Sequence, residues 1–452
     1  MLLVAAVAHL LALGAVMGLL LHDSEGIVNP TPDPGFSRPI GGDFVNMWTA
    51  GRMALDGRGP DTYVTERFNE AQQELVGAPI GHRVWAYPPP SLFLAAPFGA
   101  MGYLAALATW SALGLVVLAV GSRRFGFGSI ETALVVLSPA SLLCVYYGQT
   151  GNLAAGLLLT AMGARRASTC AGSAAVLSIK PQLGFALPVL WAVERRWRTI
   201  AAAAAAVVGV VGLSVAAFGA EAWRGYLGDT LPELSLLERH GFGKFEHMIP
   251  SMFMALRVLG VDGDLAARIH GIVAAPLAIG VVVAVVRTRT RVDQQRALAL
   301  LGTALLTPYL HVYDLTIVAV AGLLLWTMME RRGPGALRLG AALAAVTAWL
   351  LPYLTAGFAA MRLPLSPLVM GALAVLVLRD GRGERSGAGS GPELDGAGAE
   401  VVGLGQDSVG VGQPLAHEPA GVAGVDHLLH LEPVQRSDGA AGRLDAGLDL
   451  GP

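Results

Sequence analysis

Apolar residues in this chain collect in long runs, and polar residues collect between them. The first run, residues 1–21, holds a single titratable side chain, His9. About 20 apolar residues cross the hydrocarbon core of a bilayer, so this run predicts a first transmembrane helix. It lacks the basic flank and small-residue cleavage site of a secretory signal. Further runs lie near residues 103–120, 130–147, 153–164, 199–218, 265–286, 297–310, 315–329, 337–354 and 364–378. The pattern predicts an all-α fold, a polytopic transmembrane helical bundle over residues 1–380 with a first polar loop at 22–87.

Several stretches depart from that pattern. The first loop opens with a Pro/Gly-rich segment at 29–42, then two pieces at 43–56 and 61–76 that mix apolar and charged residues. Such mixing predicts amphipathic helices lying on a membrane surface. Tyr87-Pro88-Pro89-Pro90 marks the return to the membrane, where prolines fix the backbone. Between 170 and 193 the apolar run is interrupted by Lys180-Pro181-Gln182. The two arms, about 15–18 Å of helix each, are too short to span. They predict a re-entrant pair whose break is shielded by protein or lines a wet cavity. From 381 to 452 the chain is rich in Gly, Ala, Asp and Glu and has no Lys, Phe, Trp or Tyr. Such a tail cannot bury a core and is expected to be disordered.

Charge adds direction to this picture. Only 14% of residues are charged, against about 25% in soluble domains, so lipid is the expected partner of most of the surface. A net charge of −2 suggests no nucleic-acid partner. Cys144 and Cys170, both in apolar surroundings, make neither a disulfide framework nor a zinc site. The basic clusters are Arg123-Arg124, Arg165-Arg166, Arg195-Arg196 with Arg198, Arg287 with Arg289 and Arg291, Arg331-Arg332, and Arg379 with Arg382. Placing them all in the cytoplasm makes the apolar runs alternate, provided that the N-terminus is cytoplasmic and the 170–193 pair enters and leaves on one side. The expected location is therefore the cytoplasmic (inner) membrane. The first loop, the turn at 146–152, the loop at 219–264 and the turn at 307–314 then face outward.

Those outward segments hold the candidate chemistry. Asp43, in Gly41-Gly42-Asp43-Phe44, is either a helix N-cap or a general base at the membrane surface. Tyr87 keeps one wet end beside its prolines. Gln149 and Asn152 offer donors and acceptors for a sugar or phosphate, or make a plain polar turn. Lys180 is costly inside an apolar segment and needs a partner or a function: it either snorkels to an interface or faces the outer cavity, where a lipid-linked phosphate is the natural counter-ion. Tyr309, His311, Tyr313 and Asp314 crowd one helix boundary, and His311 and Asp314, three apart, can share a helical face, either as a structural pair within an aromatic belt or as groups that hold a phosphate oxygen or orient the acceptor. His240, Lys244, Glu246 and His247 are weaker candidates. No Walker loop, dinucleotide fingerprint or zinc-binding spacing is present, so neither a nucleotide cofactor nor a metal is expected.

Taken in order, Gly42-Asp43-Phe44 with Trp48, the region of Ala54 and Gly57, Tyr63, Tyr87-Pro88-Pro89, Gly148-Gln149-x-x-Asn152, Lys180-Pro181 and Tyr309-x-x-x-Tyr313-Asp314 resemble glycosyltransferase family 87, polyprenol-phosphate-dependent mannosyltransferase-like membrane enzymes. The resemblance implies a GT-C type fold and a polyprenyl-phosphate sugar as donor, with no further cofactor. It also implies transfer of a hexosyl unit to a glycan or glycolipid acceptor on the non-cytoplasmic face. It implies Asp43 as base, Lys180 and His311 near the donor phosphate, and Tyr87, Tyr309, Tyr313 and Asp314 near the substrate. With no second carboxylate as nucleophile, single displacement with inversion is expected. Two rival readings are a transporter or flippase, because broken helices and intramembrane lysines also mark solute sites, and a non-catalytic membrane scaffold.

Overall fold

The computed structural model describes residues 39, 41–77, 80–241, 246–331 and 336–380. The predicted first helix at 1–21 and the tail at 381–452 lie outside them. Among the described residues the chain is helical, with no strand. Around the first loop lie α1 (Phe44–Leu55), a 3-10 turn (Gly59–Tyr63), α2 (Thr65–Val76) and α3 (Ser91–Gly99). The bundle continues as α4 (Tyr103–Phe125), α5 (Ser129–Val136), α6 (Pro139–Tyr146), α7 (Gly151–Gly163), α8 (Ala167–Leu177), α9 (Ala186–Val193) and α10 (Trp197–Gly225). It ends with α11 (Leu231–His240), α12 (Met252–Val258), α13 (Gly263–Arg287), α14 (Val292–Leu306), α15 (Thr316–Glu330), α16 (Ala336–Ala360) and α17 (Ser366–Asp380).

Four described helical stretches are long and apolar enough to cross a membrane: α4, Trp197–His240, α13 and Arg338–Ala360. The bent pair α5–α6 makes a fifth if counted as one span, with 44° between its halves. Pro139 opens α6 where it has no N–H to give, and the Ser138 hydroxyl accepts the Ser141 N–H at 3.4 Å. The runs near 153–164, 297–310 and 315–329 correspond to shorter helices. Here α7 has 13 residues, and α14 and α15 have 15 each, or about 20–22 Å. All three are buried over most of their surface. A helix sheathed in protein does not have to match the thickness of the lipid.

The first loop also differs from expectation. Helix α2 is amphipathic as predicted, burying Phe68, Ala71 and Gln72. Helix α1 is not a surface helix: Phe44, Val45, Met47, Trp48, Thr49, Ala50, Gly51 and Met53 are all buried. Its sequence shows why, since polar residues are too few to make one wet face. A Cβ on Gly51 would lie 2.2 Å from the Ala95 carbonyl oxygen, so α1 and α3 touch backbone to backbone. The same device joins α4 to α7, where a Cβ on Gly121 would lie 2.2 Å from the Gly156 oxygen. Close approach through small residues is how helices gain van der Waals contact in lipid.

The two ends of α4 and α7 are chemically different. At their C-termini, Arg296 donates to the carbonyls of Phe125 (2.9 Å) and Met162 (3.1 Å), and Arg196 to that of Ala164 (2.8 Å). The last carbonyls of a helix lack internal partners and carry partial negative charge, so guanidinium groups satisfy them twice over. Arg196 also reaches the Cys170 sulfur at 3.2 Å, which ties the foot of α8 to the start of α10. The pair α8–α9 therefore leaves and returns at the arginine end, as predicted for a re-entrant segment. Its break at Lys180 lies at the other end, beside the N-terminus of α7.

Candidate active site

Asp43 is placed by a turn that glycine makes possible. Gly41 and Gly42 have φ of +75° and +44°, a region costly for other residues, and the Phe44 N–H closes back on the Gly41 carbonyl at 2.9 Å. The Asp43 N–H donates to the Tyr147 carbonyl at 3.1 Å, docking α1 on the α6–α7 turn. Asp43 occupies the N-cap position of α1, yet its side chain caps nothing. The carboxylate instead accepts from Arg83 Nη1 on Oδ1 (2.9 Å) and from Gln149 Nε2 on Oδ2 (2.7 Å). Its side chain is 39% exposed, so a third partner can reach it from the open side.

Gln149 continues the chain of contacts. Its Oε1 accepts from the Tyr87 hydroxyl at 3.2 Å, and the same hydroxyl lies 3.0 Å from Thr150 Oγ1. Burial raises the pKa of Tyr87, so it stays protonated. The turn is tightly walled: Gly148 has φ +60°, and a Cβ there would lie 2.4 Å from Phe44 Cβ. A Cβ on Gly151 would lie 2.3 Å from the Tyr313 oxygen, so the start of α7 touches the 312–314 turn. Asn152 is buried and donates to the Ser141 carbonyl at 3.0 Å, bracing α7 against α6.

Lys180 departs from expectation in its partner. Its ammonium donates to Asp314 Oδ1 at 2.8 Å, with side chains 9% and 5% exposed, so the counter-ion is a carboxylate of the chain itself. The Lys180 ammonium also lies 5.2 Å from the centre of the Tyr313 ring, whose other neighbours are His311, stacked at 5.0 Å, and Tyr147 at 6.4 Å. His311 thus stacks on Tyr313, while Asp314 turns to Lys180. His311 Nδ1 lies 3.1 Å from the Tyr309 carbonyl. A carbonyl only accepts, so Nδ1 carries the proton and the neutral ring keeps its lone pair at Nε2. Burial pushes the His311 pKa below its ordinary value, and the charges of Asp314, Lys180 and Asp43 all act on the ring. Tyr309 packs on Phe253 of α12 at 5.5 Å.

Asp43, Tyr87, Gln149, Lys180, His311, Tyr313 and Asp314 are therefore gathered at the end of the bundle opposite Arg296 and Arg196. Asn152 and Tyr309 buttress that group. Of the weaker candidates, His240 is exposed at the end of α11, Glu246 lies 3.8 Å from Arg257, and Lys244 is outside the described residues. No trio of His, Cys, Asp and Glu side chains that could hold a metal ion converges among the described residues. Arg83 escaped sequence reading. It lies in an extended segment whose sequence, His82-Arg83-Val84-Trp85-Ala86-Tyr87, has no polar and apolar alternation to single it out.

The model of glycosyltransferase family 87 matches residues 85–310, half of the 452-residue chain. The match covers Tyr87, Gln149, Asn152, Lys180 and Tyr309, and stops just before His311. No curated protein and no solved structure matches the chain.

Proposed function

The chain belongs to glycosyltransferase family 87 and is a membrane glycosyltransferase; on that premise we propose that it moves a hexosyl unit from a polyprenyl-phosphate sugar to a lipid or glycan acceptor, at the non-cytoplasmic face of the cytoplasmic membrane. Asp43 is the general base. The acceptor hydroxyl attacks the anomeric carbon and its proton passes to Asp43. The bond from that carbon to the phosphate oxygen breaks with inversion, and the polyprenyl phosphate leaves with one more negative charge. Lys180 and a protonated His311 stabilise that charge. Gln149 holds the base, and Tyr87 holds Gln149.

The observation that carries this reading is the placement of a partly exposed carboxylate, fixed on both oxygens, at the same end of the bundle as a buried lysine and a partly buried histidine. One group suits a hydroxyl to be deprotonated and the others suit a phosphate to be released. The test is transfer by purified protein from a polyprenyl-phosphate sugar, with Asp43→Asn as control. The variant should fold normally and lose at least about 100-fold in kcat, in line with loss of general base catalysis. A folded Asp43→Asn enzyme with wild-type activity removes this mechanism.

A further inference from the structure

Arg83 reaches Asp43 from 40 residues away in sequence, and what holds it there is α2. Phe68 of α2 packs against Trp85, with ring centres 6.3 Å apart. Beside it, the Asn69 amide grips the backbone of Arg83 at two points. Asn69 Oδ1 accepts the Arg83 N–H at 2.9 Å, and Asn69 Nδ2 donates to the Arg83 carbonyl at 2.9 Å. Nδ2 also donates to the Thr65 carbonyl at 2.7 Å, one turn back on α2, which fixes the amide itself. One turn further along, the buried Gln72 donates from Nε2 to Asn46 Oδ1 at 2.8 Å. Asn46 lies in the first turn of α1, three residues after Asp43. Helix α2 thus grips the arginine that bonds the Asp43 carboxylate and the helix that follows Asp43.

We infer that Asn69 is a positioning residue for the transfer reaction, acting through Arg83 on the carboxylate of Asp43; this rests on the reading of Asp43 as the base. The carboxylate is held by one donor on each oxygen. An ionised carboxylate has about four lone-pair sites, so two remain for an acceptor hydroxyl while the plane of the group stays fixed. Arg83 supplies one of the two anchors, and its own placement depends on a backbone that lies in an extended segment outside any sheet. Asn69 takes the role a neighbouring strand would play for that residue, pairing its N–H and C=O together. Without it the guanidinium loses its fixed origin, and the carboxylate is left with Gln149 alone. Misplacement of a reacting group by about 1 Å costs on the order of 100-fold in rate.

A double-mutant cycle tests this. Asn69→Ala and Arg83→Ala are made singly and together, and folding is checked by monodispersity and thermal unfolding in detergent. Each single variant should lose about 10- to 100-fold in kcat while donor KM moves by less than about twofold, because neither residue is placed on the donor. The double variant should be no slower than Arg83→Ala alone, since residues acting in series are not additive. Asn69→Ser repeats the cycle with a small polar residue should Asn69→Ala fold poorly, and Arg83→Lys supplies a background with residual activity. Wild-type kcat in a folded Asn69 variant, or losses that multiply in the double variant, overturn the inference. Activity retained by Asp43→Asn instead overturns the base assignment beneath it, so the two failures are told apart.

Discussion

A buried ammonium must be neutralised, and at Lys180 the neutralising group is a carboxylate 134 residues away. The cost of the lysine is visible in the sequence, because it interrupts an apolar segment. Its partner is not, because Asp314 is chosen by the packing of α8, α7 and the 312–314 turn. The same packing decides the form of His311. Its Nδ1–H is committed to the Tyr309 carbonyl, so only the imidazolium can donate from Nε2 to a phosphate oxygen. Burial lowers the pKa of His311 below the ordinary 6.5, so at neutral pH the ring is uncharged. A phosphate beside it favours the cation and raises that pKa, and donor binding therefore takes up a proton. The sign follows: donor binding is tightest in acid and weakens as pH rises above the pKa of the free site, by up to about tenfold per unit. Donor KM measured between about pH 5.5 and 7.5 should climb in the wild type and stay flat in His311→Gln. A flat wild-type profile would remove His311 from the phosphate.

At the level of elements, much was legible and the reasons for the rest are specific. The mixture of apolar and charged residues at 61–76 marked α2, and the Lys180-Pro181 break marked the α8–α9 pair. The burial of α1 was missed because its few polar residues were read as a wet face, whereas Asn46 bonds Gln72 and Arg52 lies at the α3 contact. The run at 153–164 matched the length of α7, but its burial was not legible, because apolar runs look alike whether lipid or protein surrounds them. Helix α7 does have a mark of its own: Gly156 and Gly163, seven residues apart, share one face and meet α4 backbone. A Cβ at Gly156 would lie 2.4 Å from the Val117 oxygen, an atom that cannot move without shifting α4. Gly156→Val should therefore destabilise the bundle by about 3 kcal/mol or more, at the upper end for overpacking a core. Thermal unfolding in detergent checks this. Gly172→Val in the same measurement is the control, since a Cβ there meets nothing within 4 Å. Equal melting of the two variants would mean that α4 and α7 do not depend on their glycine contact.

For the whole molecule, the question is which side of the membrane the site faces. Helices α4 and α7 run together, with the carbonyls at one end held by Arg296 and Arg196 and the Asp43 group at the other. Whatever orients the arginine end therefore orients the chemistry. Basic residues flanking apolar helices are retained in the cytoplasm, and on that rule the proposed site faces outside. A lipid-linked sugar suits that side, because its energy travels in the phosphate ester and no soluble nucleotide is required. The native cysteines Cys144 and Cys170 are both buried, so single introduced thiols can report sidedness without first removing them. Arg58, in the turn after α1, has its side chain 45% exposed, and Arg124 is exposed at the far end of α4. In intact cells a membrane-impermeant maleimide should label Arg58→Cys, and it should label Arg124→Cys only after the membrane is opened. The reverse pattern would turn the bundle over. The same polar cluster would then meet cytoplasmic acceptors, and the case for a donor presented outside the cell would fall while the geometry around Asp43 stood unchanged.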